Sequence, residues 1–217
     1  MDFIEATNNA GKMKEFRRIL TALGHTVQSQ REAGINVEPE ENGTTSAANA
    51  RIKAEAICAV CGKPTIADDS GLCVEALGGA PGVYSARYCG HHGDDEANND
   101  KLLADMQPFA DKAQRGAKFV SAICVYLPNG RHFTFMGECP GWVGFARKGT
   151  NGFGYDPIFN TEKYDNRSYA QLTDAEKDTI SHRGMALASM QQHLPQLLAD
   201  TTVLGATTGV CQIEIKE

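Results

Sequence analysis

The chain has 217 residues, 41% hydrophobic and 22% charged, with a formal net charge of −6. It is long enough to bury a substantial core, and no apolar run approaches the ~20 residues that span a bilayer. The acidic balance argues against a general nucleic-acid binder, yet a small anionic substrate remains open if local Lys or Arg groups or a divalent cation offset the background.

Seven cysteines, an odd number without framework spacing, predict reduced thiols in a cytoplasmic protein. Met1-Asp2-Phe3-Ile4-Glu5 lacks the basic and apolar regions of a signal peptide.

In chain order, Phe3 to Ala6 reads as a first strand and Thr7-Asn8-Asn9-Ala10-Gly11-Lys12 as a polar loop. Met13, Phe16, Ile19, Leu20 and Leu23 then recur at helical spacing, with Gly24 as a stop. The loop therefore sits at a helix N-terminus, where free N–H groups favour an anion and Lys12 adds a full charge. A phosphate cradle and an ordinary strand–helix turn both fit this pattern. His25 to Ser29 reads as a second strand, and residues 30–43 as a loop carrying Glu38, Glu40 and Glu41. After Thr44 and Thr45 a helix is expected to Val60, with Ala48, Ile52, Ala56 and Ala59 as its apolar side.

Thr65-Ile66-Ala67 reads as a short buried strand that ends in Asp68-Asp69-Ser70-Gly71. Paired carboxylates at such a strand end are costly unless a cation binds them. Asp68 and Asp69, with Glu40 or Glu41, have the hard oxygens that suit Mg²⁺; a solvated loop or a helix cap is the alternative. Asp94 caps a predicted helix through Met106, and Ala117 to Leu127 reads as a central strand. Pro128-Asn129-Gly130 turns it into a partner strand from Arg131 to Met136, with Trp142 to Ala146 as a further piece of sheet.

Residues 147–157 form a glycine-rich loop in which Phe153 and Tyr155 either stack on a flat base or plug the core. Thr173-Asp174-Ala175-Glu176 has the form of a capping box. Ser181-His182-Arg183-Gly184 opens a last helix expected to stop at Pro195, and His182 and Arg183 suit a base edge or a phosphate. Lys177 fits the same role or a solvated surface. Cys58 and Cys61 lie on a helical segment without a second well-spaced pair, which disfavours zinc.

Five stretches in register, ATNNAGKMKE, EPEENGTT, ADDSGLCVEALGGAPGVYSARY, GTNGFGYDPIF and SHRGMAL, resemble the inosine triphosphate pyrophosphatase family, also called dITP/XTP pyrophosphatases. The resemblance covers roughly residues 1–195, taken as one domain, and leaves 196–217 as a tail in which Val210 to Ile215 reads as an extra strand. The chain departs from the family pattern at Ser46, often an aromatic, and at Ala48, often a glutamate.

The resemblance implies an α/β fold: a mixed elongated sheet with flanking helices and two lobes around a central active-site cleft. It also implies a homodimer and Mg²⁺-dependent hydrolysis of ITP, dITP and XTP to the monophosphate and pyrophosphate. Residue by residue, Thr7, Asn9 and Lys12, within the loop that includes Asn8, Ala10 and Gly11, match the phosphate contacts. Glu40 and Asp69 match the metal-binding acids, with Asp69 also the proton acceptor. Ser70, Phe153, Gly154, Tyr155 and Asp156 match substrate contacts, and Lys177, His182 and Arg183 match the group that reads the base.

Overall fold

The computed structural model describes residues 1–200 and the backbone of 211–213. Its strands and helices, in chain order, are β1 (Asp2–Glu5), α1 (Ala10–Ala22), β2 (Thr26–Ser29), α2 (Ser46–Cys61), β3 (Thr65–Val74), α3 (Asp95–Asp105), β4 (Gly116–Tyr126), β5 (His132–Val143), β6 (Phe159–Asn160), α4 (Asp174–Ile180), α5 (His182–Ala199) and β7 (Cys211–Ile213). The strands form one mixed sheet in the order β2-β1-β3-β4-β5-β6, with β7 also on β5. β1 pairs in parallel with β2 and β3, β5 pairs antiparallel with β6, and β7 joins β5 in parallel. Among the described residues, no helix is long and apolar enough to cross a membrane. The chain forms two compact units: residues 1–69, 121–137 and from 183 onward in the first, 70–120 and 138–182 in the second.

In the first unit the sheet carries a core on each face. One face buries Phe3, Ile66, Ile123 and Phe135 with Phe16 and Leu20 of α1 and Leu187 and Met190 of α5. The other buries Ile4, Ala67 and Ala122 with Ala50, Ala54 and Ile57 of α2. The α1 stripe forms as its spacing predicts, and burying Phe16 contributes about 2 kcal/mol. Asn9 caps α1, accepting from the Lys12 N–H at 2.9 Å.

The α2 stripe differs from expectation. Its inward residues are Asn49, Ala50, Ala54, Ile57 and Cys58, rather than Ala48, Ile52, Ala56 and Ala59. Small residues recur at helical spacing on both sides of this helix, so periodicity alone does not orient it.

Three boundaries also depart from the pattern. β3 does not end at Asp68; it runs ten residues from Thr65, straight through both aspartates. α5 does not stop at Pro195 but continues through it to Ala199. Proline removes one helical hydrogen bond, at a cost of about 3 kcal/mol. Leu197 and Leu198 offset this by packing against the core. Arg131 donates to the carbonyls of Leu197, of Leu198 at 3.4 Å and of Asp200 at 3.2 Å, which satisfies the end of the helix. β5 is likewise one strand of twelve residues that already contains Trp142.

The second unit has its own core, built from Leu72, Leu102, Phe119, Val143, Ile158, Phe159 and Tyr169. Arg115 is buried there, and its guanidinium donates to four carbonyls, those of Met106, Phe109, Val143 and Gly144, at 2.6–2.9 Å. Gly71 lies where the backbone is crowded: a Cβ on it would meet the Gly82 carbonyl oxygen at 2.2 Å. The Ser85 hydroxyl secures this approach, accepting from Leu72 N at 2.9 Å and donating to Gly82 O at 2.6 Å.

Candidate active site

Side chains alternate across a strand. Within β3, Ile66 and Asp68 therefore face α1 and α5, while Ala67 and Asp69 face α2. The two adjacent acids enter different environments.

Asp68 is 1% exposed and surrounded by cations. Lys12 Nζ lies 2.8 Å from Oδ2 and Arg183 Nη2 also 2.8 Å, while the Ser121 hydroxyl donates to Oδ1 at 2.5 Å. The other Arg183 amino group binds Glu15. Burial by itself would raise the Asp68 pKa, but Arg183 and Lys12 overcome it and hold the carboxyl well below its ordinary value. Asp68 thus stays ionised at neutral pH and pairs with Lys12 and Arg183.

Asp69 is 7% exposed, and burial pushes its pKa up, with Lys53 and Lys12 opposing. Lys53 Nζ stands 3.7 Å from Asp69 Oδ1 and 3.1 Å from Glu41 Oε2, and donates to the Asp68 carbonyl at 2.9 Å. Asn49 Nδ2 makes a long contact of 3.5 Å with Asp69 Oδ2, while its Oδ1 accepts from Gly43 N at 2.8 Å. A carboxylate with a raised pKa is a better proton acceptor than an ordinary one. Glu40 is exposed on the preceding loop; its neighbour Glu41 is the acid that reaches Lys53. Among the described residues, no group of three or more His, Cys, Asp or Glu gathers as a metal cluster.

The loop before α1 stays open. Asn8, Asn9 and Ala10 are exposed; Thr7, Gly11 and Lys12 are partly so. Asn9 N–H donates to Thr7 Oγ1 at 3.1 Å, and Asn8 Nδ2 to Glu38 Oε1 at 3.0 Å. These bonds fix the turn, while Lys12 is anchored from beneath by Asp68.

The second unit holds the other group of expected residues. Lys177 Nζ and Asp156 Oδ2 are 2.5 Å apart, with side chains only 6% and 4% exposed. The same ammonium lies over the rings of Phe153, at 5.0 Å, and Tyr169, at 5.4 Å. Asp156 also accepts from Phe153 N at 2.8 Å. This tight turn requires Gly152: at φ +77°, an added Cβ would stand 1.9 Å from Asp156 Oδ2. Gly154 is tied on both sides, its N–H to Asp95 at 2.7 Å and its carbonyl to Asn99 at 2.8 Å. His182 stacks on Phe119 with ring centres 4.5 Å apart and planes 9° apart. Ser70 is half-buried in β3.

Two expected contacts look different in this geometry. Arg183 is 1% exposed and commits both terminal nitrogens to Glu15 and Asp68, so it orders the site rather than offering its fork to a base. Tyr155 is 5% exposed and donates its hydroxyl to the Ser85 carbonyl at 2.9 Å; it plugs the core, and Phe153 is the ring left partly exposed. Sequence reasoning missed Lys53, Glu15 and Ser121. Lys53 follows Asn49 by four residues and Glu15 follows Lys12 by three, so each pair shares a helix face; that spacing was the available signal.

An oriented lysine under a helix-capping loop and a carboxylate poised to take a proton are the parts that phosphoanhydride hydrolysis needs. On an α/β fold, they define a nucleotide hydrolase. The chain belongs to the Ham1 family, whose model matches residues 3–193. It is 44% identical over 201 residues to a dITP/XTP pyrophosphatase of Exiguobacterium sibiricum, covering 92% of this chain and 100% of the relative. It is 45% identical over 191 residues to a dITP/XTP pyrophosphatase of Bacillus subtilis, covering 88% and 96% respectively. The structure of the Staphylococcus aureus Ham1 protein superposes with a TM-score of 0.78 at 38% identity, covering 91% of this chain and all of that one.

Proposed function

We infer that this chain hydrolyses non-standard purine nucleoside triphosphates, dITP, ITP and XTP, to the monophosphate and pyrophosphate. The observation that carries the reading is the division of labour in β3: Asp68 fixes Lys12 from one face, and Asp69 presents a basic carboxylate on the other.

Lys12 and the N–H groups of the Thr7–Gly11 loop hold the triphosphate in one register. Asp69 accepts a proton from the water that attacks the α-phosphorus. Lys53, which pairs with both Asp69 and Glu41, offsets the repulsion between these acids.

The donor set suits Mg²⁺: Asp69 and Glu40 offer hard oxygens, and Mg²⁺ commonly takes one or two carboxylates alongside waters and phosphate oxygens. The site already accommodates a cation, the Lys53 ammonium, between Glu41 and Asp69. When bound, Mg²⁺ would neutralise phosphate oxygens and favour departure of pyrophosphate.

For the base, Phe153 supplies a face to stack on, and Lys177 and His182 are the donors for a 6-oxo group. An adenine amino group would leave such a donor unpaired, which discriminates strongly in a buried site. We place the enzyme in the cytoplasm as a homodimer that clears these nucleotides from the pool.

The test is pyrophosphate release from ITP, dITP, XTP, GTP, ATP, dUTP and a modified UTP, with and without Mg²⁺. The 6-oxo purines without a 2-amino group should lead by at least a hundredfold over ATP, and chelation should abolish turnover. Preference for a pyrimidine, or ITP binding without pyrophosphate release, would overturn the reading.

A further inference from the structure

Glu5, the last residue of β1, takes no part in the chemistry above. It is fully buried, and neither of its carboxyl oxygens has a hydrogen-bond partner among the described residues. It stands just two residues before the phosphate loop. In the parallel pairing of β1 with β3 it lies opposite Ile66, on the face that also carries Asp68. Charges on four elements act on it through space: Asp68 on β3, Arg183 on α5, Lys12 on α1 and Lys53 on α2. Glu15 of α1 holds the same Arg183, and β2 contributes the uncharged Ser29 beside it.

A buried carboxylate without a donor is costly, so this group keeps its proton. Burial, then the charge of Asp68, raise its pKa to about 8, against the pull of Arg183, Lys12 and Lys53. The local charges then balance: Asp68 and Glu15 against Lys12 and Arg183. Ionised, Glu5 would add a second carboxylate acting on the lysine that the phosphates need.

We propose that Glu5 is a positioning residue for the triphosphate: protonated, it leaves Lys12 available to the phosphates, and ionised, it competes for Lys12. This rests on the reading of Lys12 as a phosphate contact. It is tested apart from the base and the chemistry by titrating inorganic tripolyphosphate calorimetrically into the wild type, Glu5→Gln and Glu5→Leu between pH 6.5 and 9. Ionisation of the ligand itself is common to all three proteins.

Near pH 6.5 the wild type and Glu5→Gln should bind alike. At pH 9 the wild type should be weaker by about tenfold, because only its protonated fraction is competent. Glu5→Leu, which keeps the site free of charge should the glutamine disturb folding, should follow Glu5→Gln. Parallel pH profiles would overturn the proposal, as would absence of tripolyphosphate binding in the wild type. Failure to hydrolyse ITP, with the pH difference intact, would instead count against the assigned activity and leave Glu5 supported.

Discussion

Asp68 and Asp69 are consecutive residues of one strand whose carboxyl groups face opposite sides of the sheet and are pushed in opposite directions, Asp68 toward permanent charge and Asp69 toward proton uptake. The cations decide the difference. Asp68 has two at 2.8 Å, whereas the nearest ion pair of Asp69 is 3.7 Å long. Substitutions at these neighbours should therefore fail in different ways.

Asp69→Asn keeps the shape of the side chain and removes its basicity. Turnover of ITP should fall by roughly a hundredfold to ten-thousandfold, the usual range for loss of a general base. The melting temperature should stay within a few degrees. Pyrophosphate release and thermal melting on the same sample check both; near-normal turnover would remove Asp69 from the chemistry.

Asp68→Asn strips the counter-charge from Arg183 and Lys12. A buried pair broken on one side costs about 3–5 kcal/mol, so this variant should lose stability as well as activity. Pairing it with Arg183→Met should recover part of the loss, since both charges are then removed together. Strict additivity in denaturant unfolding would mean that the contact carries no coupling.

The pH dependence of stability should show two limbs of opposite sign. Asp68 has a folded pKa below its unfolded value, so its contribution is present above pH ~3.8 and is lost as the pH falls below that toward the depressed folded value. Glu5 has a folded pKa raised from 4.5 to about 8, so its contribution is complete below pH 4.5 and is lost as the pH rises through 8. Chemical denaturation across pH should show Glu5→Gln flattening the alkaline limb and Asp68→Asn the acid one. Wild-type slopes retained in both variants would contradict the assignment.

Gly152→Ala tests the second unit. The substitution forces a side chain into a left-handed backbone position, at about 1 kcal/mol, and drives its Cβ into Asp156. The Asp156–Lys177 pair and the Phe153 ring should shift together. KM for ITP should rise about tenfold or more, with a smaller change in kcat. Unaltered kinetics would show that this turn does not shape the base site.

Much of this was legible because it is local. The α1 stripe, the Asn129-Gly130 turn and the Thr173–Glu176 capping box each depend on residues within one or two turns of chain, and each forms as its residue pattern predicts. The course of β3 was not legible. Two aspartates read as the end of a buried strand because nothing nearby in sequence compensates them. The compensation comes from Arg183, 115 positions later, and from Ser121, 53 positions later. The same distance hid the role of Arg183, whose exposed-looking sequence context gives no sign of Glu15 on the first helix. Tyr155 was ambiguous for a simpler reason: between glycines, an aromatic ring can turn either way, and the Ser85 carbonyl that receives its hydroxyl is 70 positions distant.

The grip of Arg131 on the carbonyls of Leu197, Leu198 and Asp200 separates two kinds of boundary. The family model closes at residue 193, but the contacts of α5 run on to Asp200. Trimming the gene at Pro195 would sever α5 within its last turn, discard the leucines that Arg131 and the core hold, and take from Arg131 the carbonyls it donates to. Trimming after Asp200 would preserve all of these contacts. For this chain, the end of the family model is a poor place to cut.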